Sequence, residues 1–320
     1  MFLFLCDWFS TSSFSLKVKT SGSTGAPKEI LVEKERMMQS AGLTCSFLGL
    51  QEGDTALLCM PLDYIAGKMV VVRALVAGLD LYPVPPSGNP LKDIGISFDF
   101  AAMIPLQVYN SLQSSEERKR LSKIKNLIIG GGAIDPLLEN EIKPFSHNIY
   151  STYGMTETLS HIALRKLNGD GASEYYKSFS SVSLSLSEDN ALIIDAPLVA
   201  KERLYTNDIA EIKEDGSFRI IGRVDNIINS GGVKIQAEEV ERLLKPYIYM
   251  SFAISSLSDA KFGEIVVLVV EGDIDEELYK GKLPNYYMPK KIIKVNTIPL
   301  TETGKINRAE LKKHIVTISS

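Results

Sequence analysis

Nine residues, Thr20-Ser21-Gly22-Ser23-Thr24-Gly25-Ala26-Pro27-Lys28, gather two glycines, four hydroxyls and a lysine. Glycines let successive backbone N–H groups turn toward one point, and hydroxyls add donors there. A lysine adds a compact positive charge. Such a loop wraps an anion, and a phosphate chain is the obvious one. The nucleotide-binding pattern G-x-x-x-x-G-K-[ST] is not met, because Pro27 precedes Lys28 and Glu29 follows it. A second constellation, Tyr153-Gly154-Met155-Thr156-Glu157-Thr158, sets a carboxylate beside two hydroxyls. At the start of a helix Glu157 would be favoured by the helix dipole alone. Beside phosphates the same carboxylate could hold magnesium, which takes hard oxygen ligands and shares them with substrate phosphates.

Three further stretches carry reactive or binding side chains. Tyr205-Thr206-Asn207-Asp208 precedes Gly222-Arg223-Val224-Asp225, pairing a carboxylate that accepts hydroxyl protons with a guanidinium that donates. Alone, this pair reads equally well as a β-turn and a surface ion pair. Asp225 opens a run through Ser230-Gly231-Gly232-Val233-Lys234 to Gln236. Pro299-Leu300-Thr301-Glu302-Thr303-Gly304-Lys305 ends in a lysine on a Thr/Gly turn, a setting in which most lysines are merely solvated.

Elements must position these groups. Phe14, Leu16 and Val18 alternate, so a strand delivers the first loop. A helix over 31–48 and a buried strand over Thr55–Met60 follow. Ile65–Ala77 is apolar almost all round and is expected as a buried helix ended by Gly78. Strands are expected at Leu81–Val84, Ala101–Ile104, Asn126–Ile129 and Asn148–Ser151. Helices are expected at Leu106–Leu121, Pro136–Ile142 and Thr156–Arg165. This alternation predicts an α/β sheet covered by helices, with ligands at the C-terminal ends of strands. After about residue 180 the pattern becomes β-rich, with strands at Ser183–Ser187, Ala191–Ile194, Ile209–Lys213 and Phe218–Ile221. A small α+β domain then holds a helix at Ala237–Leu244, strands at Ser251–Ile254 and Glu264–Val270, and a helix at Arg308–Ile315. The expected division is 1–224 and 225–320.

Composition narrows the class. A chain of 320 residues can hold two domains, and 45% hydrophobic with 23% charged residues describes an ordinary globular protein. A net charge of -4 gives no case for nucleic acid or an anionic membrane. Cys6, Cys45 and Cys59 have no metal or redox spacing, which fits thiols in a reducing cytoplasm. Met1–Cys6 is apolar but lacks a basic leader and stops at Asp7, so it is expected as a core strand.

Taken in order, the motifs resemble the adenylate-forming superfamily of acyl-CoA synthetases, luciferases and peptide-synthetase adenylation domains. The resemblance spans residues 20–308. It implies that Thr20–Gly25, Lys28, Thr156 and magnesium-bound Glu157 handle the ATP phosphates. Gly131, Gly132, Ala133, Tyr153, Gly154 and Met155 would take the nucleotide, and Asp208 and Arg223 the ribose. Asn207 stands where the family usually has Gly, a mild change because Asn tolerates left-handed backbone. Asp225 would be the hinge of a mobile C-terminal domain, with Gly231, Gly232 and Lys234 at the coenzyme A site. Lys305 would bridge the substrate carboxylate and the α-phosphate. Within the superfamily, Gly131-Gly132-Ala133-Ile134, Ile104-Pro105-Leu106-Gln107, Thr158–Arg165 and Gly232–Val240 look most like the o-succinylbenzoate–CoA ligases of menaquinone biosynthesis. The chain is also short ahead of the phosphate loop, as compact members are. A keto-acid benzoate would then meet Ser160, His161 and Tyr64, where Tyr64 replaces the His common in the family. Ser160 is expected on one helix with His161 and Arg165. The partners implied are a small carboxylic acid, ATP and coenzyme A, and a homodimer is compatible with them. Other acid–CoA ligases, a carrier-loading adenylation enzyme and a silent acyl-binding paralogue share much of this pattern.

Overall fold

A computed structural model describes residues 1–19, 29–301 and 306–319. The chain forms two compact units. The first comprises Met1–Leu184, Ile194–Leu204 and Lys213–Phe218; the second comprises Ser185–Ile193, Tyr205–Ile212 and Arg219–Ser320.

The first unit starts with helix α1 (Phe2–Phe9), where a strand was expected. Its eight residues include no β-branched side chain, and the Phe4 ring meets Trp8 one turn later in a tilted contact, with ring centroids 6.0 Å apart. Strand β1 (Ser15–Lys19) pairs antiparallel with β2 (Glu29–Glu33), burying Leu16, Val18 and Val32. Residues 31–33, expected as helix, thus belong to β2, and α2 (Lys34–Leu48) begins only after them. Next come β3 (Thr55–Leu58), α3 (Ile65–Ala77), β4 (Asp80–Pro83) and β5 (Phe100–Met103). Helices α2 and α3 both end on a left-handed glycine, Gly49 (φ 66°) and Gly78 (φ 67°), as the C-terminal rule requires.

The helix expected at Leu106–Leu121 is two: α4 (Pro105–Gln113) and α5 (Ser115–Leu121). Ser114 breaks it, because its hydroxyl accepts the Glu117 N–H and so caps the second piece. Then follow β6 (Asn126–Ile129), α6 (Pro136–Ile142), β7 (Asn148–Gly154), β8 (His161–Lys166) and β9 (Lys177–Ser178). Together they build a seven-stranded sheet in the order β4-β3-β5-β6-β7-β8-β9, parallel up to β7 and antiparallel beyond it. Apolar strand residues (Leu57, Ala101, Met103, Leu127, Ile129) pack against Val108, Leu112, Leu121, Leu138 and Ile142 of α4, α5 and α6. Strands β10 (Ser183–Leu186), β11 (Ala191–Asp195), β12 (Leu204–Ile212) and β13 (Phe218–Arg223) form a four-stranded sheet in that order.

The second unit's own sheet holds β14 (Ile227–Ser230), β15 (Val233–Gln236), β16 (Phe252–Asp259), β17 (Gly263–Val270) and β18 (Lys291–Lys294). Helix α7 (Ala237–Leu244) covers one face and α8 (Arg308–Ser319) the other. Strand β17 shows why both are needed: Val266, Leu268 and Val270 pack with α7, whereas Val267 and Val269 pack with α8. Fully burying each such side chain contributes roughly 1.5–3 kcal/mol. The Arg308 guanidinium, 2.8 Å from the Glu241 carboxylate, also donates to the Ile254 carbonyl and ties α8 to α7 and β16. Burial pushes the Glu241 carboxyl upward, and the Arg308 charge counters this.

Residues 227–236, given no secondary structure from the sequence, form a hairpin. Ser230 faces Val233 across the two-residue turn Gly231-Gly232, and both glycines have positive φ (58° and 84°). That is the geometry in which Gly-Gly closes antiparallel strands.

Candidate active site

Four neighbouring parallel strands, β3, β5, β6 and β7, end at one edge of the large sheet. The segments leaving that edge carry much of the expected site in the first unit. Tyr64, ahead of α3, pairs its backbone with Lys19. Gly130-Gly131-Gly132-Ala133 follow β6; Gly131 has φ +84°, and a methyl on Gly130 would lie 2.4 Å from the Thr152 hydroxyl. Tyr153 and Gly154 finish β7. The Tyr153 ring meets Phe218 edge-on (5.3 Å, 80°) and tilts toward Tyr176. Residues 20–28, including Thr20, Ser21, Gly22, Ser23, Thr24, Gly25 and Lys28, lie outside the described residues, as does Lys305.

The helix expected at Thr156–Arg165 is absent. Thr156–Thr158 make one 3-10 turn, Leu159 takes a positive φ of 66°, and the chain returns as β8 against β7. A buried leucine in that region is unusual and stops the helix. The Thr158 hydroxyl accepts the Met155 N–H (3.0 Å) and closes the turn. Ser160, His161 and Arg165 therefore share no helix face. Arg165 makes a bidentate pair with Glu139 (2.8 and 3.1 Å), away from His161's own partners.

Glycine is obligatory at the turn. A Cβ on Gly154 would sit 2.3 Å from the Ser160 carbonyl and 2.5 Å from the His161 Cα, backbone that cannot step aside. Gly154→Ala is expected to cost about 1–3 kcal/mol or more by overpacking. A lowered urea midpoint with unchanged slope would show it.

Glu157 is exposed, with no side-chain partner described. No group of three or more metal-ligating side chains exists among the described residues. A lone open carboxylate suits magnesium, whose other ligands come from phosphates and water.

The residue that sequence reasoning missed is Arg73. It lies on α3, is 2% exposed, and donates from Nη2 to the Ser160 hydroxyl (2.6 Å). Among the described residues its Nε–H has no partner and no carboxylate reaches it. Burial pulls its pKa down to about 10, so it remains a cation at neutral pH. Ser160 Oγ lies 3.3 Å from His161 Nδ1, and His161 Nε2 lies 3.0 Å from the Thr44 hydroxyl. Burial first, and the Arg73 charge second, hold His161 well below the usual imidazole range. The signal was available: an arginine in the middle of a helix whose one other charged residue, Lys68, lies in its first turns.

In the second unit, Asp208 and Arg223 form an ion pair (2.9 Å), and Arg223 also reaches Asp225 (3.4 Å). Asn207 donates to the same Asp225 carboxylate (3.1 Å). Lys234 pairs with Asp189 in the open (3.2 Å). Beside the Gly231 turn lies Phe262, whose carbonyl accepts the Gly231 N–H (2.8 Å). Two ammonium groups sit over its ring, Lys290 at 3.9 Å and Lys261 at 5.2 Å.

The family model described as "AMP-binding enzyme" matches residues 19–200, more than half of the chain. The chain belongs to the AMP-binding enzymes. Among curated proteins this AMP-binding enzyme is similar to the 2-succinylbenzoate–CoA ligase of Listeria innocua, at 26% identity over 97% of this chain and 72% of the relative. A solved acyl-CoA synthetase (AMP-forming)/AMP-acid ligase II-like protein from Dyadobacter fermentans is 32% identical, covering 98% of this chain and 93% of its own, with a TM-score of 0.68. The o-succinylbenzoate coenzyme A synthetase of Bacillus subtilis, solved with ATP and magnesium, shares the fold at 21% identity and a TM-score of 0.75, over 92% and 69% of the two chains. No described helix of this AMP-binding enzyme is long and apolar enough to cross a membrane.

Proposed function

We propose that this AMP-binding enzyme is an ATP-dependent acid–CoA ligase whose acid is o-succinylbenzoate, placing it in menaquinone biosynthesis. One observation carries the choice of acid: Arg73 is a buried cation with no carboxylate partner among the described residues, set beside Ser160 and His161 at the end of the Tyr153–Thr158 segment. A charge kept in such a place calls for a counter-ion from outside. o-Succinylbenzoate brings two carboxylates, one to react and one to be held.

The reaction runs in two steps. The reacting carboxylate attacks the α-phosphate of ATP, giving acyl-adenylate and pyrophosphate. The coenzyme A thiol then attacks the acyl carbon, forming the thioester and releasing AMP. Thr20–Gly25, Lys28 and Thr156 hold the phosphates, and Lys305 orients the attacking carboxylate. Magnesium, held by Glu157, would neutralise phosphate charge. Gly131–Ala133 and Tyr153–Met155 take the adenine, while Asp208 and Arg223 take the ribose. Residues 225–320 act as the mobile domain, turning at Asp225. Gly231, Gly232 and Lys234 serve the thiol, and the Phe262 ring with Lys261 and Lys290 suits an aromatic base bearing phosphates.

The test is AMP release with ATP, magnesium and coenzyme A across o-succinylbenzoate, benzoate, a medium-chain fatty acid and an amino acid. o-Succinylbenzoate should exceed benzoate in kcat/KM by roughly a hundredfold or more, because benzoate leaves a buried polar site unpaired. Equal use of benzoate would discard the acid assigned and keep the ligase chemistry.

A further inference from the structure

We infer that Thr44 and His161 are positioning residues that set Arg73 to receive an anionic arm of the substrate. The inference rests on the reading of Arg73 given above. Four side chains from separated parts of the chain form one hydrogen-bonded line: Arg73 on α3, Ser160 and His161 at the start of β8, and Thr44 on α2. Arg73 only donates, so the Ser160 oxygen accepts from it. The Thr44 hydroxyl lies 3.2 Å from the Ser40 carbonyl, which only accepts.

These two ends select the imidazole tautomer between them. With the Thr44 hydroxyl donating to the Ser40 carbonyl, His161 Nε2–H donates to Thr44 Oγ1, and Nδ1 accepts from the Ser160 hydroxyl. Every proton from Arg73 Nη2 to the Ser40 carbonyl then has an acceptor. With the other tautomer, Nδ1–H would donate to Ser160, and the Ser160 proton would be left without an acceptor among these groups. Buried polar groups favour the fully paired arrangement.

The line has a direction. Thr44 fixes the ring, the ring orients the Ser160 hydroxyl, and the hydroxyl's lone pair holds Arg73 Nη2. Among the described residues nothing accepts from the Arg73 Nε–H. Each link is neutral apart from Arg73, so the line orients the cation without cancelling its charge. A carboxylate in place of Ser160 or His161 would neutralise the cation that the acid must find. The Phe179 ring, 5.7 Å from His161, closes the apolar side.

The experiment has two arms. In the first, long-range proton–nitrogen spectra are recorded on the ligand-free full chain labelled at histidine nitrogens. Only His147, His161 and His314 contribute, and a His161→Gln variant assigns the signal. The expected result is a single Nε2–H tautomer for His161 in the wild type and a mixture in Thr44→Val. An Nδ1–H or mixed wild-type signal overturns the inference. In the second arm, Thr44→Val is expected to raise KM for o-succinylbenzoate about tenfold, the loss of one buried hydrogen bond, with kcat held. Thr44→Ser should restore the wild-type KM. An unchanged KM in Thr44→Val, with the melting temperature kept, also overturns it. The spectra need no substrate: if o-succinylbenzoate is not turned over, the acid assignment falls while the first arm still decides the positioning role.

Discussion

Glutamine in place of Glu157 is expected to leave a folded protein whose acid-dependent pyrophosphate release falls by roughly 10²–10³, the usual loss when one preorganised charge-stabilising group is removed. The side chain is exposed and makes no described contact that the fold needs. A substitution of this kind moves stability by about 0.5 kcal/mol or less. Glutamine keeps the shape and one oxygen but removes the charge that competes for magnesium. The measurement is pyrophosphate release against magnesium concentration, with ATP binding followed in parallel. Excess magnesium should recover part of the rate. Wild-type rates at all magnesium levels would remove Glu157 from the metal site.

The second large effect joins activity to stability with opposite signs. Arg73→Met should abolish efficient use of o-succinylbenzoate, with kcat/KM falling by about 30- to 5000-fold, the 2–5 kcal/mol carried by a desolvated charge partner. Benzoate turnover should be spared. The same variant should be more stable, by about 1–4 kcal/mol, because an apolar side chain of similar volume replaces a buried, partly unpaired cation. Urea denaturation and the acid panel on one preparation test both halves. A destabilised variant that keeps its preference for o-succinylbenzoate would make Arg73 a structural residue.

Much of the fold was legible. Ile65–Ala77, Asn126–Ile129, Pro136–Ile142 and Ala237–Leu244 occupy the residues expected, because local signals bound them: Gly78 past one helix, Pro136 at the start of another, an apolar strand running into glycines. The failures have local causes too. Thr156–Arg165 lacks a strong period, and the left-handed Leu159 that ends its single turn is imposed by the return against β7. Gly231-Gly232 between two short apolar-containing runs is a hairpin signal that was read only as part of a motif. At the site, the turn residues were visible as motifs, but the group proposed to recognise the acid was not. Arg73 sits in a helix that reads as core, and Thr44 is 117 positions from the histidine it touches. Proximity of that kind comes from packing α2 and α3 beside β8, which no local pattern encodes.

The second unit's sheet has a consequence for how the chain is made. Both of its hydrophobic clusters draw only on residues 228–315. The loops that must close are short in sequence, from the Gly231-Gly232 turn to the β16–β17 hairpin, so the entropic barrier to assembling this core is small. Emerging after residues 1–227, this segment holds every apolar partner those clusters need and can condense around β17 without waiting for upstream strands to find theirs.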